Sequence, residues 1–132
     1  MTPPTYADVA EGVRAAIASY THALDDGRAD DVVATYCADG GCDIPGLGTH
    51  EGHDALRAAY TGWQPKVPVR HLVANTHVTG WNEHEATATS DVVVLVQVES
   101  SWAIQVVGRY YDTLHYDGDA WRFHRRVAEF VT

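Results

Sequence analysis

Residues 67–81 read VPVRHLVANTHVTGW, a run dense in β-branched residues with polar groups at every second or third position. Such a composition favours a pleated, half-buried strand over a helix. The same character returns in EATATSDVVVLVQVES (85–100), SWAIQVVGRYYDTLHYDG (101–118) and AWRFHRRVAEFVT (120–132), with GWNEHEA (80–86) and YDGDAW (116–121) as polar connections. Four long strands in an antiparallel meander are therefore expected after Pro65.

Upstream the period changes. Val9, Val13, Ile17, Tyr20 and Leu24 recur every three or four residues, which predicts an amphipathic helix from Tyr6 to about Asp26. Gly27 suits the left-handed position beyond a helix end, whereas Asp25 and Asp26 sit where the helix dipole disfavours anions. RADDVVATYC (28–37) predicts a short second helix over Ala29 to Tyr36, and HDALRAAYTGW (53–63) a third. ADGGCDIPGLGTHEGH (38–53) reads as turn, short strand around Cys42 to Ile44, and turn. Helices followed by antiparallel strands predict an α+β fold, a curved sheet wrapping helices on one face and leaving a pocket.

The 132 residues are 45% hydrophobic, enough for one sizeable core and a single domain over 1–132. A formal charge of -9 argues against nucleic acid or an anionic membrane as partner and favours a small organic ligand. The segment MTPPTYADVAEGV lacks the basic start and apolar run of a signal peptide, and no stretch approaches the ~18 apolar residues of a membrane span. A cytoplasmic protein is expected. In that reducing compartment Cys37 and Cys42 are read as free thiols, since their spacing offers zinc no further ligands. His50 and His53 are spaced H-x-x-H but lie in a glycine-containing loop with Glu51 as the only adjacent acid, so no metal site is expected there.

Alternation places His71, Val73, Asn75 and His77 on one face of their strand and Leu72, Ala74, Thr76 and Val78 on the other, the second being the more apolar and the expected core face. In the last strand Trp121, Phe123, Arg125 and Val127 alternate with Arg122, His124, Arg126 and Ala128, so one of two adjacent arginines faces inward unless both snorkel outward. An inward arginine needs an acid, for which Asp25 is a candidate.

Taken together, YTHALDDGRADDVVATYCADG (20–40), GTHEGHDALRAAY (48–60) and GRYYDTLHYDGDAWRFHRR (108–126) resemble, in order and spacing, the SnoaL-like branch of the nuclear-transport-factor-2-like superfamily. The resemblance covers nearly the whole chain and implies a cone-shaped α+β barrel. Within the superfamily the pattern is most similar to hexachlorocyclohexane dehydrochlorinase and, more distantly, scytalone dehydratase, lyases that need no metal or cofactor. It implies a catalytic aspartate at Asp25 in ALDDG, a catalytic histidine at His71, four residues before Asn75 in RHLVAN, and a catalytic arginine at Arg126, five residues after Trp121. Tyr20 stands where the dehydrochlorinase has lysine. It implies further a homodimer or homotrimer packed through the open sheet face.

A His–Asp pair is a general base in which the carboxylate fixes the imidazole tautomer and stabilises the imidazolium. Unperturbed imidazole titrates near ~6.5 and is free base at neutral pH. Arg126 and Tyr20 are expected to stabilise negative charge on a leaving group or enolate, Asn75 to contact substrate, and Trp63, Trp102 and Tyr110 to wall an apolar pocket. The expected chemistry is proton abstraction from carbon in a small apolar, aromatic or cyclic substrate, followed by elimination of water or halide or by isomerisation. A polyketide cyclase of aldol type and a non-catalytic ligand-binding or assembly module are the competing readings.

Overall fold

The computed structural model describes residues 2–131. Helix α1 (Tyr6–Asp25) begins with a capping box, the Thr5 hydroxyl accepting from the Asp8 N–H and the Asp8 carboxylate accepting from the Thr5 N–H. Asp26 caps its C-terminus, followed by Gly27 at a φ of +72°. Helix α2 (Ala29–Ala34) stops two residues before the expected end, and strand β1 (Tyr36–Ile44) starts at once. Strand β2 (Gly48–Glu51), helix α3 (His53–Gly62) and the long strands β3 (Val69–Trp81), β4 (Glu85–Val98), β5 (Ser101–Tyr116) and β6 (Trp121–Val131) complete the chain.

The six strands form one sheet in the order β2-β1-β6-β5-β4-β3. All neighbours are antiparallel except β1 and β6, whose parallel pairing makes the sheet mixed. The sheet curves without closing, so β2 and β3 remain edges. The glycine-rich stretch 38–53, expected as turns around a short strand, holds most of the nine-residue β1 and all of its four-residue partner β2. Pairing with β6 on one side and β2 on the other supplies ladder partners that local propensity does not reveal.

Val9, Val13, Ile17 and Tyr20 of α1 are buried against Leu114, Trp121 and Phe123 of the sheet. The approach is close at Gly12, where a Cβ would lie 2.3 Å from the Trp121 indole. A second apolar cluster of Val69, Val92, Val94, Tyr110 and Ala128 continues along the same face of the sheet, and between it and the helices the fold leaves a cavity.

Three of the sheet's register shifts bear on the site. In β3 the pairing jumps from Ala74 with Asp91 to His77 with Thr89, and Asn75 there has a φ of +56°. In β5 it jumps from Val106 with Val94 to Ile104 with Leu95, leaving Gln105 extra. In β6 it jumps from Phe123 with Leu114 to Arg125 with Thr113, leaving His124 extra. Each bulge reverses the inward and outward alternation beyond it. His71 and Val73 consequently face inward before the β3 bulge and Thr76 and Val78 after it, while Leu72, expected in the core, is 54% exposed.

Candidate active site

Asp25, the last residue of α1, meets His71, the third residue of β3, with both carboxylate oxygens. Oδ1 lies 2.6 Å from His71 Nδ1, and Oδ2 accepts the His71 backbone N–H at 2.9 Å. The strand edge explains the second contact, because β3 has an unpaired side whose N–H groups need acceptors. The helix end is a poor place for an anion by dipole alone, and two donors from one residue offset that disadvantage. Both side chains are largely withdrawn from water, 7% exposed for Asp25 and 16% for His71. With Nδ1 engaged, Nε2 is the His71 nitrogen without a protein partner among the described residues.

His71 contributes to the wall of a cavity of about 520 Å³, within the size range of small-molecule sites. Its lining is mainly apolar: Leu24, Ile44, Leu47, Val92 and Val94 among others, with Trp63 standing edge-on to Tyr60 at 5.0 Å between ring centroids. Tyr20, Tyr60 and Tyr110 bring phenols to it. Tyr60 also bridges two phenols, its hydroxyl lying 2.7 Å from that of Tyr20 and 2.8 Å from that of Tyr36. Three hydroxyls carry three protons and the two contacts use two, so one O–H of the chain is always left to donate elsewhere. Tyr36 and Tyr60 had no counterpart among the sequence candidates, since a tyrosine on an apolar helix face or at a strand start carries no mark of function.

Burial pushes the Tyr20, Tyr36, Tyr60 and Tyr110 hydroxyls up from the usual phenol range. Neutral phenols are therefore the working form. An acid whose folded pKa lies above its unfolded value contributes stability that is complete below the unfolded value, near ~10 for tyrosine, and declines above it. Urea unfolding at stepped alkaline pH should show a free energy that is flat to about pH 10 from this source and then falls by up to about 1.4 kcal/mol per pH unit for each buried tyrosine. Tyr36→Phe should make that fall shallower. An equal slope in the variant would mean that Tyr36 titrates freely.

Arg126 departs from expectation in both partner and position. It is fully buried, and its acid is Asp112, with Nε 3.0 Å from Oδ1 and Nη2 3.2 Å from Oδ2. The β6 bulge at His124 puts Arg126 on the face of Trp121 and Phe123, where alternation alone would have set it opposite them. Its guanidinium carbon stands 3.6 Å from the Tyr110 ring centroid and 4.4 Å from that of Tyr20, behind the cavity wall and not in it. Burial works against this charge, but Asp112 and the surrounding phenols outweigh it and hold the guanidinium cationic. Burial likewise pushes the Asp112 carboxyl up while Arg126 pulls it back.

Two further candidates lie outside the cavity. Asn75 occupies the β3 bulge, exposed, and donates from Nδ2 to Asp91 at 2.9 Å. Trp102 would share a face with Tyr110 in an unbroken strand, but the bulge at Gln105 turns it to the other side, where it is 49% exposed and Gln105 lines the cavity instead. His50 and His53 each place Nε2 on a backbone carbonyl, that of Leu47 and of Tyr36.

An open curved sheet wrapped over three helices, with an acid–imidazole pair at the wall of an apolar cavity, defines an α+β protein of the cystatin-like, nuclear-transport-factor-2-like class. The chain belongs to the SnoaL-like domain family, which it matches over residues 6–127. Among solved structures it is similar to Rv3472 of Mycobacterium tuberculosis, a protein of unknown function, with 22% identity and a TM-score of 0.85 over 92% of this chain and 70% of that one. It is also similar to a candidate scytalone dehydratase of Novosphingobium aromaticivorans (21% identity, TM-score 0.81, 92% of this chain and 83% of that one). A Catenulispora acidiphila protein solved in complex with S-DNPA matches at 20% identity and a TM-score of 0.83 over 94% of each chain. At these identities the likeness shows the fold. No curated protein matches the sequence. No helix among the described residues is long and apolar enough to cross a membrane.

Proposed function

We propose that the protein is a cofactor-independent enzyme that abstracts a proton from carbon in a small apolar, aromatic or cyclic substrate, a lyase or isomerase with His71 as base. The observation that carries this reading is the Asp25 carboxylate on His71 Nδ1 at the wall of the cavity. Nε2 takes the proton, and Asp25 stabilises the imidazolium and holds the ring in place. The electron pair of the broken C–H bond moves into a C–C bond and onward, either to a carbonyl oxygen as an enolate or to a departing β-substituent. With the chain running Tyr36 to Tyr60 to Tyr20, the spare O–H sits on Tyr20 at the cavity and donates to the oxygen that gains charge. A departing hydroxyl collects a proton from the imidazolium and leaves as water; in isomerisation the imidazolium returns the proton to a different carbon. Arg126 does not reach substrate directly and supports the site from behind Tyr20 and Tyr110, which it touches face-on.

Exchange in D2O tests the first step without knowledge of the second. Cyclic ketones and β-hydroxy ketones are incubated with the protein, and loss of the α-proton signal is followed by NMR. At least one aromatic or cyclic member should exchange far faster than in buffer. Ligands that bind in the cavity yet exchange at the buffer rate would make the protein a binding module.

A further inference from the structure

The bulge that sends Arg126 inward also places His124 on the outer face of the sheet, in a row that crosses four strands. Tyr36, Phe123, Leu114 and Ala86 are register partners and buried, so the residues beside them, Cys37, His124, His115 and Glu85, share the opposite face. Cys37, His115 and His124 each bring one ligand-type atom to within 4.8 Å of the others, a grouping found once among the described residues.

We propose that Cys37, His115 and His124 form a binding site for a zinc-class divalent metal, lying on the sheet face opposite the His71 cavity and independent of it. Four observations support the site. His124 Nδ1 is buried without a hydrogen-bond partner among the described residues, and Asp39 stands 3.8 Å away. The Cys37 thiol donates one weak hydrogen bond, 3.6 Å to the Arg122 carbonyl, which a metal–sulfur bond would replace. His115 places Nε2 on a Glu85 carboxylate oxygen at 2.9 Å, which leaves Nδ1 with its lone pair; a carboxylate behind a ligating imidazole is the usual outer partner at such centres. One thiolate and two imidazoles, with the fourth position left to solvent, suit a tetrahedral borderline-soft cation and not calcium or magnesium, which take oxygen.

The two imidazoles stack, 4.2 Å between centroids and 14° between planes. A metal lies in the plane of each imidazole it binds, so binding exchanges this stack for two metal–nitrogen bonds as one ring turns. Side-chain exposures of 38% for His115 and 39% for His124 leave the rings room to do so.

The test is titration of reduced, untagged protein with cobalt(II), which reports ligand type directly. One equivalent should produce the intense visible bands of tetrahedral cobalt and a near-ultraviolet thiolate-to-metal band, both bleached by zinc. Cys37→Ser should remove the thiolate band while Cys42 remains present, His115→Ala should weaken binding, and Glu85→Gln should weaken zinc binding about tenfold. Circular dichroism establishes that each variant is folded. Only the weak bands of octahedral cobalt, or a thiolate band that survives Cys37→Ser in folded protein, would overturn the assignment. Because the readout is optical, it stands or falls separately from any catalytic activity.

Discussion

Asp25→Asn should slow proton abstraction by about 10²–10⁴-fold while leaving the fold and ligand binding intact. The argument is one of donors and acceptors. His71 presents two groups to residue 25, a backbone N–H at 2.9 Å that can only donate and a ring nitrogen at 2.6 Å that can do either. A carboxylate accepts from both. An asparagine amide has one oxygen, which the backbone N–H claims, so its NH2 meets Nδ1 and forces that nitrogen to accept. The ring proton then resides on Nε2, the nitrogen meant to receive the substrate's proton, and the base is blocked. Exchange rates in D2O measure the loss, and nitrogen shifts of the imidazole report the tautomer. His71→Ala should lose as much rate. A folded Asp25→Asn protein that exchanges substrate at the wild-type rate would reduce Asp25 to a cap on the β3 edge.

Helix α1 was legible because it has one buried face and no interruption: Val9, Val13, Ile17 and Tyr20 are all buried as their spacing requires. The four long strands were legible for the same reason, and the family resemblance ordered them into the curved sheet. What escaped were events that depend on pairing. Strand β1 contains ADGG and is a strand because β6 and β2 flank it. The bulges at Asn75, Gln105 and His124 each reverse a two-residue period with no mark in local composition. Asn75 was expected to contact substrate and Trp102 to wall the pocket, but the bulges turn both away from it, and Arg126 was offered Asp25 when its register neighbour Asp112 was the available acid. Cys37, His115 and His124 come from three strands, and sequence spacing carries no trace of their meeting.

The second large effect is on stability. Asp112→Ala should destabilise the protein by about 3–5 kcal/mol in chemical denaturation, a large part of the 5–15 kcal/mol typical of a whole domain. Asp112 and Arg126 are both fully withdrawn from solvent, and Nη1 of Arg126 already lacks a partner among the described residues. Removing the carboxylate strands a cation that cannot shed its proton. The pair as a whole is a different matter, since two buried charges repay little more than their own desolvation. Replacing both, Asp112→Leu with Arg126→Met, should therefore recover most of the loss, and a double variant as unstable as Asp112→Ala would refute the ion-pair account. The rescued protein then separates architecture from electrostatics. Arg126 touches the faces of Tyr20 and Tyr110 and does not line the cavity, so its charge reaches the chemistry by polarising those phenols and through space, offset by Asp112. Slower exchange in a stable double variant with unchanged ligand affinity would measure that influence; an unchanged rate would assign the pair to holding the tyrosine wall in place.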